Sequence, residues 1–168
     1  KDLSDEEKDS MNFKYCDVTN DDQVKQLFDN IDNVDGVLHS IAYANPKTCL
    51  GGEVLYTEAT EDILNGFNIS AASLATVTNY AVPKMTEGGS IVTLSFEAQR
   101  PFPYYNWMGV NKAALEAVVK SLARNYGKNK IRVNAVSAGP LTTKAASSIP
   151  YFEHLSKTWE QISPLPYF

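Results

Sequence analysis

Residues 90–140 read SIVTLSFEAQRPFPYYNWMGVNKAALEAVVKSLARNYGKNKIRVNAVSAGP. Ser90–Ser95 is short and apolar, as a buried parallel strand is, and Ile131–Ala138 is a second strand ending in Gly139-Pro140. Between them lies a long helical pattern from about Pro103 to Tyr126, with Gly127 placed as its C′ residue. Strand, helix, strand is the crossover unit that parallel strands need.

Upstream, the alternation continues. Val34–Ile41 reads as another short apolar strand, followed by a loop over 45–52 and a long helix from about Glu61 to Met85. Its apolar positions Ile63, Leu64, Phe67, Ile69, Leu74, Val77 and Val82 spread round much of the circumference, which predicts burial on more than one side. Phe13–Val18 has strand propensity. Thr19 or Asn20 can cap a short helix carrying Val24, Leu27, Phe28 and Ile31. Lys1–Asn12 is highly charged and reads as a solvated loop or a helix remnant. Beyond Pro140 the pattern is loop and helix with no further strand. The expected fold is α/β, a doubly wound parallel sheet.

The chain has 168 residues, 43% hydrophobic and 21% charged, ordinary for one soluble globular domain. A net charge of −5 argues against nucleic acid, which needs a basic stripe. Cys16 and Cys49 cannot form a disulfide framework and lack metal-site spacing, so a reducing cytoplasm is the expected location. No apolar run approaches membrane-spanning length. His39 and His154 are the only histidines, and neither has the companions of a nucleophilic triad.

Tyr105 and Lys112 are seven residues apart on the long helical pattern. Seven residues fall about 20° short of two turns, so both side chains share one face, roughly 10 Å apart along the axis. A phenol there can donate a hydrogen bond to a carbonyl while the ammonium grips a second polar part of an elongated ligand. An isolated pair of this kind is better read as a helix-start aromatic and a solvated lysine.

Four stretches in order, Cys16–Val18, His39–Ile41, Tyr105–Glu116 and Arg132–Pro140, resemble the short-chain dehydrogenase/reductase superfamily and, within it, the enoyl-acyl-carrier-protein reductases. Ordinary members of the superfamily place Tyr and Lys four residues apart. Here position 109 is Gly, and the offset of seven resembles the enoyl reductase branch. The resemblance implies a Rossmann-like fold and reduction of trans-2-enoyl thioesters on acyl carrier protein in fatty-acid synthesis. It further implies NADH, with NADPH possible, as hydride donor, and a homotetramer pairing the helices at 61–85 and 103–126.

The same resemblance assigns roles. Tyr105 would hydrogen-bond the enolate oxygen, Lys112 would hold the nicotinamide ribose, and Phe96 would wall the substrate thioester. Asp17 and Val18 would meet the adenine, with Asp17 capping the next helix as the bland alternative. Ser40, Ile41 and Ala42 would run beside the cofactor's ribose and middle, with Ile69 packing against it from the long helix. Gly139, Pro140, Leu141 and Thr143 would reach the carboxamide and pyrophosphate, although Thr142 and Lys144 depart from the family's usual residues there. Tyr43, Ala44 and Met108 would line the substrate pocket, and 145–152 would form a lid.

A Rossmann sheet opens with a strand, a glycine-rich turn and a helix whose N-terminus receives the pyrophosphate. No such opening is present, and the strand expected after residue 168 is also missing. The chain therefore reads as part of a larger enzyme. Two alternatives stay open at the level of sequence: a divergent dehydrogenase acting on a ketone or alcohol, and an inactive fragment serving as a binding module.

Overall fold

The computed structural model describes residues 4–96, 98–143 and 146–164. Three parallel strands form its sheet: β1 (Gly36–His39), β2 (Gly89–Ser95) and β3 (Ile131–Ser137), in the spatial order β1-β2-β3. The register sets Val37 beside Ile91 and Ile91 beside Val133, so one row of side chains crosses the sheet on a single face.

Helices α1 (Asp5–Asp9) and α2 (Asp21–Asp29) precede the sheet. Asn20 is the cap of α2, accepting a 3.1 Å hydrogen bond from the Gln23 N–H. The crossover from β1 to β2 is helical from Thr60 to Lys84 but is not one regular helix. It comprises α3 (Thr60–Phe67), a π-helical turn (Asn68–Ala72), α4 (Ser73–Ala81) and a closing 3-10 turn (Val82–Lys84). The crossover from β2 to β3 is α5 (Asn106–Tyr126), and α6 (Phe152–Ile162) follows β3.

These helices share one core with the sheet. Val24 and Phe28 of α2, Leu74 and Ala81 of α4, and Leu115, Val119 and Leu122 of α5 pack with Ile91, Ile131 and Val133. Leu74, Ile91 and Leu115 are fully buried, each a burial that contributes about 1.5–3 kcal/mol. The opposite face of the sheet carries Leu38 and Val136, both exposed, Leu38 by 67%.

Three expectations need correction. Phe13–Val18 is not a strand: no strand bridges it, and Tyr15 is 92% exposed. Strand propensity is realised only when a neighbouring strand supplies the ladder, and β1 pairs with β2 alone among the described residues. The long helix starts at Asn106 and not near Pro103, because Tyr104 and Asn106 take left-handed backbone angles (φ 65° and 30°). The Tyr104 carbonyl is held there by the Gly51 N–H at 2.9 Å, and its ring lies 4.3 Å from that of Tyr151, contacts that offset the strain. Gly127, finally, keeps a right-handed φ of −58° and opens a 3-10 turn; the left-handed residue is Lys130 at φ 58°.

Candidate active site at the carboxyl edge of the sheet

All three strands run in one direction, so their carboxyl ends deliver three loops to one edge, where open α/β sheets bind ligands. The loop after β1 supplies Ala42, Tyr43 and Ala44, β2 leads into Phe96, and β3 leads into Gly139–Leu141. With the first two turns of α5 they enclose a cavity of about 460 Å³. Ligand pockets span about 300–1,000 Å³.

The α5 helix presents Tyr105, Met108 and Lys112 to this cavity, residues spaced by three and four and so stacked on one helical face. Tyr105 is the residue just before α5, yet its carbonyl already accepts the Gly109 N–H at 3.2 Å, which continues the helical geometry. Its N-terminal end is strapped to the loop at 49–55. Trp107 donates its backbone N–H to Cys49 at 3.1 Å and its indole N–H to Leu55 at 2.9 Å, and Asn106 donates to Gly52 at 3.0 Å.

Both members of the pair are buried. The Tyr105 ring meets Phe96 edge-to-face at 5.1 Å, and burial pushes its phenol pKa well up, so it stays protonated and acts as a donor. Lys112 is 6% exposed, and its Nζ donates a 2.7 Å hydrogen bond to the Leu94 carbonyl. Burial lowers its pKa to about 8. An ammonium this poorly solvated has strong reason to bind a further polar partner. Behind it, Ser95 donates to the Glu116 carboxylate at 2.7 Å, which ties the end of β2 to the next turn of α5.

The structure brings eleven of the sequence-derived candidates to this one cavity: Ala42, Tyr43, Ala44, Phe96, Tyr105, Met108, Lys112, Gly139, Pro140, Leu141 and Thr143. Five lie elsewhere. Asp17 sits in the turn before α2, where its carboxylate accepts from the Thr19 N–H and hydroxyl at 2.9 and 2.8 Å; those bonds lower its pKa. Val18 is half-buried beside it, and Ser40 and Ile41 lie between the end of β1 and the cavity wall. Ile69 is half-buried on the π turn. Lys144 and Ala145 lie outside the described residues.

Sequence reasoning missed part of the wall. Pro46 and Leu50 come from the loop after β1, whereas Ile149 and Phe152, which close the cavity beside α6, fall within the 145–152 segment that the resemblance assigns to a lid. Trp159 of α6 packs on Phe96 at 5.7 Å and on Phe102 at 6.0 Å. The amphipathic pattern of α6 was the available signal, but it cannot say which surface the apolar side meets. Larger hollows of about 710, 740 and 620 Å³ lie over α6, beside residues 98–110 and beside α2, and none of these touches Tyr105 or Lys112.

Comparison with known proteins gives the family. The family model described as enoyl-(acyl carrier protein) reductase matches residues 1–168. The NADH-named enoyl-acyl-carrier-protein reductase of Bacillus subtilis is 46% identical over 155 residues, covering 89% of this chain and 59% of that protein. Its counterpart in Rickettsia prowazekii is 44% identical over 89% of this chain and 58% of its own. Among solved structures, the Bacillus cereus enoyl-acyl carrier protein reductase with NADP+ and an indole naphthyridinone superimposes with a TM-score of 0.86. It is 40% identical, over 95% of this chain and 65% of that one. The Aquifex aeolicus enzyme superimposes with a TM-score of 0.82 at 38% identity, over 89% of this chain and 59% of that one. The chain thus spans about three fifths of the length of the curated relatives it matches.

Proposed function

The chain belongs to the enoyl-(acyl carrier protein) reductase family, and from that premise we propose that the complete protein reduces trans-2-enoyl thioesters on acyl carrier protein in fatty-acid synthesis. The observation that carries this reading is the meeting of Tyr105 and Lys112, offset by seven, on the wall of one apolar cavity at the carboxyl edge of the sheet.

A nicotinamide cofactor, NADH with NADPH as the alternative, supplies the hydride that C3 of the enoyl thioester accepts. As that bond forms, the electron pair of the double bond moves toward the thioester carbonyl and negative charge gathers on its oxygen. Tyr105, held neutral by burial, donates a hydrogen bond to that oxygen, and C2 then takes up a proton to complete the saturated product. A preorganised donor of this kind contributes about 10²–10³ in rate. Phe96 walls the thioester, and Tyr43, Ala44 and Met108 line the path of the acyl chain.

The residues present fit the nicotinamide half of such a cofactor. Lys112 offers a desolvated ammonium suited to ribose hydroxyls, and Ala42 with Gly139, Pro140, Leu141 and Thr143 supplies a close wall of small side chains and backbone. Ser40, Ile41 and Ile69 are assigned to its middle, and Asp17 and Val18 to its adenine end. The apolar Leu64, Phe67 and Val110, exposed on α3 and α5, support pairing of those helices with further copies in a homotetramer. No helix among the described residues is long and apolar enough to cross a membrane, in keeping with a cytoplasmic enzyme.

The test is turnover by the complete protein. Loss of reduced-nicotinamide absorbance with a trans-2-enoyl thioester, and none with 3-ketoacyl thioesters or simple ketones, is expected. The opposite preference would sink the proposal.

A further inference from the structure

The π turn Asn68–Ala72 interrupts a helix that periodicity alone would leave regular, and such turns are rare and concentrated at functional sites. Its side chains show what it does here. Ser70 is 0% exposed, and its Oγ makes two hydrogen bonds to one residue of the loop after β1. It accepts the Tyr43 N–H at 2.8 Å and donates to the Tyr43 carbonyl at 2.8 Å. One hydroxyl therefore satisfies both backbone groups of Tyr43, the central residue of the Ala42–Ala44 wall.

Two neighbours reinforce the hold. Gly66, one turn earlier, brings the helix so close that an added Cβ would lie 3.3 Å from the Tyr43 carbonyl oxygen. Ser73, just past the π turn, lies 2.8 Å from His39 Nε2, while Thr93 lies 3.1 Å from His39 Nδ1, so the end of β1 is pinned as well. The Ser70 hydroxyl is thus committed to the segment that leaves β1, while Ser73, which donates to the Ile69 carbonyl at 2.7 Å, also rests against the last residue of β1.

We propose that Ser70 is a positioning residue: carried inward by the π turn, its hydroxyl clamps the Tyr43 peptide and so sets the placement of the Ala42–Ala44 wall against bound cofactor and thioester. The catalytic consequence rests on the cavity being the reductase site, whereas the clamp itself does not. Without the hydroxyl, two part-buried backbone groups lose their partner, and the loop relaxes to find others.

The experiment uses the complete protein and Ser70→Ala. Amide exchange at residues 42–44 should quicken at least tenfold while exchange within β2 stays unchanged. In the same variant, KM for cofactor and enoyl thioester should rise about tenfold, with kcat moving less, the scale expected when the two part-buried hydrogen bonds of Ser70 are lost. Val119→Ala, in the core away from the cavity, is the control: it lowers Tm as much or more but leaves both KM values within about twofold. Unchanged exchange at 42–44 overturns the clamp. Faster exchange with unchanged KM overturns its role in catalysis. A wild-type protein that reduces no enoyl thioester overturns the reductase reading while the exchange result still judges the clamp. Should Ser70→Ala not fold, Ser70→Cys, nearly isosteric but a weak hydrogen-bonding group, repeats the test.

Discussion

Lys112→Met should make the protein more stable and nearly inactive, and the size of the first effect follows from the structure. The Lys112 ammonium is 6% exposed and has one charge-assisted hydrogen bond, to the Leu94 carbonyl. Burial lowers its pKa from 10.5 to about 8. A shift of that size corresponds to about 3 kcal/mol against the charged form in the folded state. Because the folded pKa lies below the unfolded one, the unfolded chain holds the proton more tightly between pH 8 and 10.5. Stability contributed by this group is therefore lowest below pH 8 and recovers as pH rises to 10.5, where both states are neutral. The difference in unfolding free energy between wild type and Lys112→Met, measured in urea at a series of pH values, cancels the other titrating groups. It should favour the variant near neutrality and swing toward wild type by about 3 kcal/mol between pH 7 and 11, mostly above pH 8. A difference that stays flat over that range would refute the claim that this ammonium is desolvated. Turnover reports the other half: the variant should bind cofactor at least tenfold more weakly, the scale of a hydrogen bond to a charged group.

The remaining predictions are narrower. Tyr105→Phe should reduce kcat about 10²–10³-fold with cofactor affinity unchanged, and single-turnover kinetics with saturating cofactor would measure it. Cofactor affinity of the wild type should weaken as pH rises through about 8, where Lys112 loses its proton; a fluorescence titration from pH 6 to 10 that shows no such change counts against its role. Gly88→Ala should destabilise by about 1–3 kcal/mol, since φ is +86° and the new Cβ would lie 2.7 Å from the Lys130 carbonyl oxygen, as thermal unfolding can check. Asn20→Ala should cost about 1 kcal/mol through loss of the α2 cap, read from the urea midpoint.

Much of the architecture is legible along the chain. The strands at 36–39, 89–95 and 131–137 are apolar runs framed by turn residues, and the crossovers between them are long enough for little but helices. A side chain's helical face follows from its number, so Tyr105 and Lys112 can be set on one wall from spacing alone. What spacing cannot give is the opposing wall. Leu50, Ile149 and Phe152 reach the cavity through loops whose paths depend on what they pack against, and Trp159 reaches Phe96 from a helix that follows β3.

Local propensity also failed where a partner decides the outcome. Phe13–Val18 has the residues of a strand, but a strand exists only as half of a ladder. Tyr104 has no intrinsic reason to be left-handed, and contacts with the Gly51 N–H and the Tyr151 ring, distant in sequence, offset the strain of that conformation just before α5. The π turn belongs with these. Its sequence, Asn-Ile-Ser-Ala-Ala, is unremarkable for a helix, and Ser70 acquires its role only because the loop after β1 passes within 2.8 Å.

By itself, then, the sequence determined what repeats with a fixed period: the order of elements, the sheet's parallel sense, and the shared face of the phenol and ammonium. The tertiary structure alone decided burial. Desolvation holds the Tyr105 phenol protonated, weakens the grip of Lys112 on its proton, and makes the Ser70 hydroxyl a clamp, because the strength of a charge or hydrogen bond is set by how much water the rest of the fold excludes.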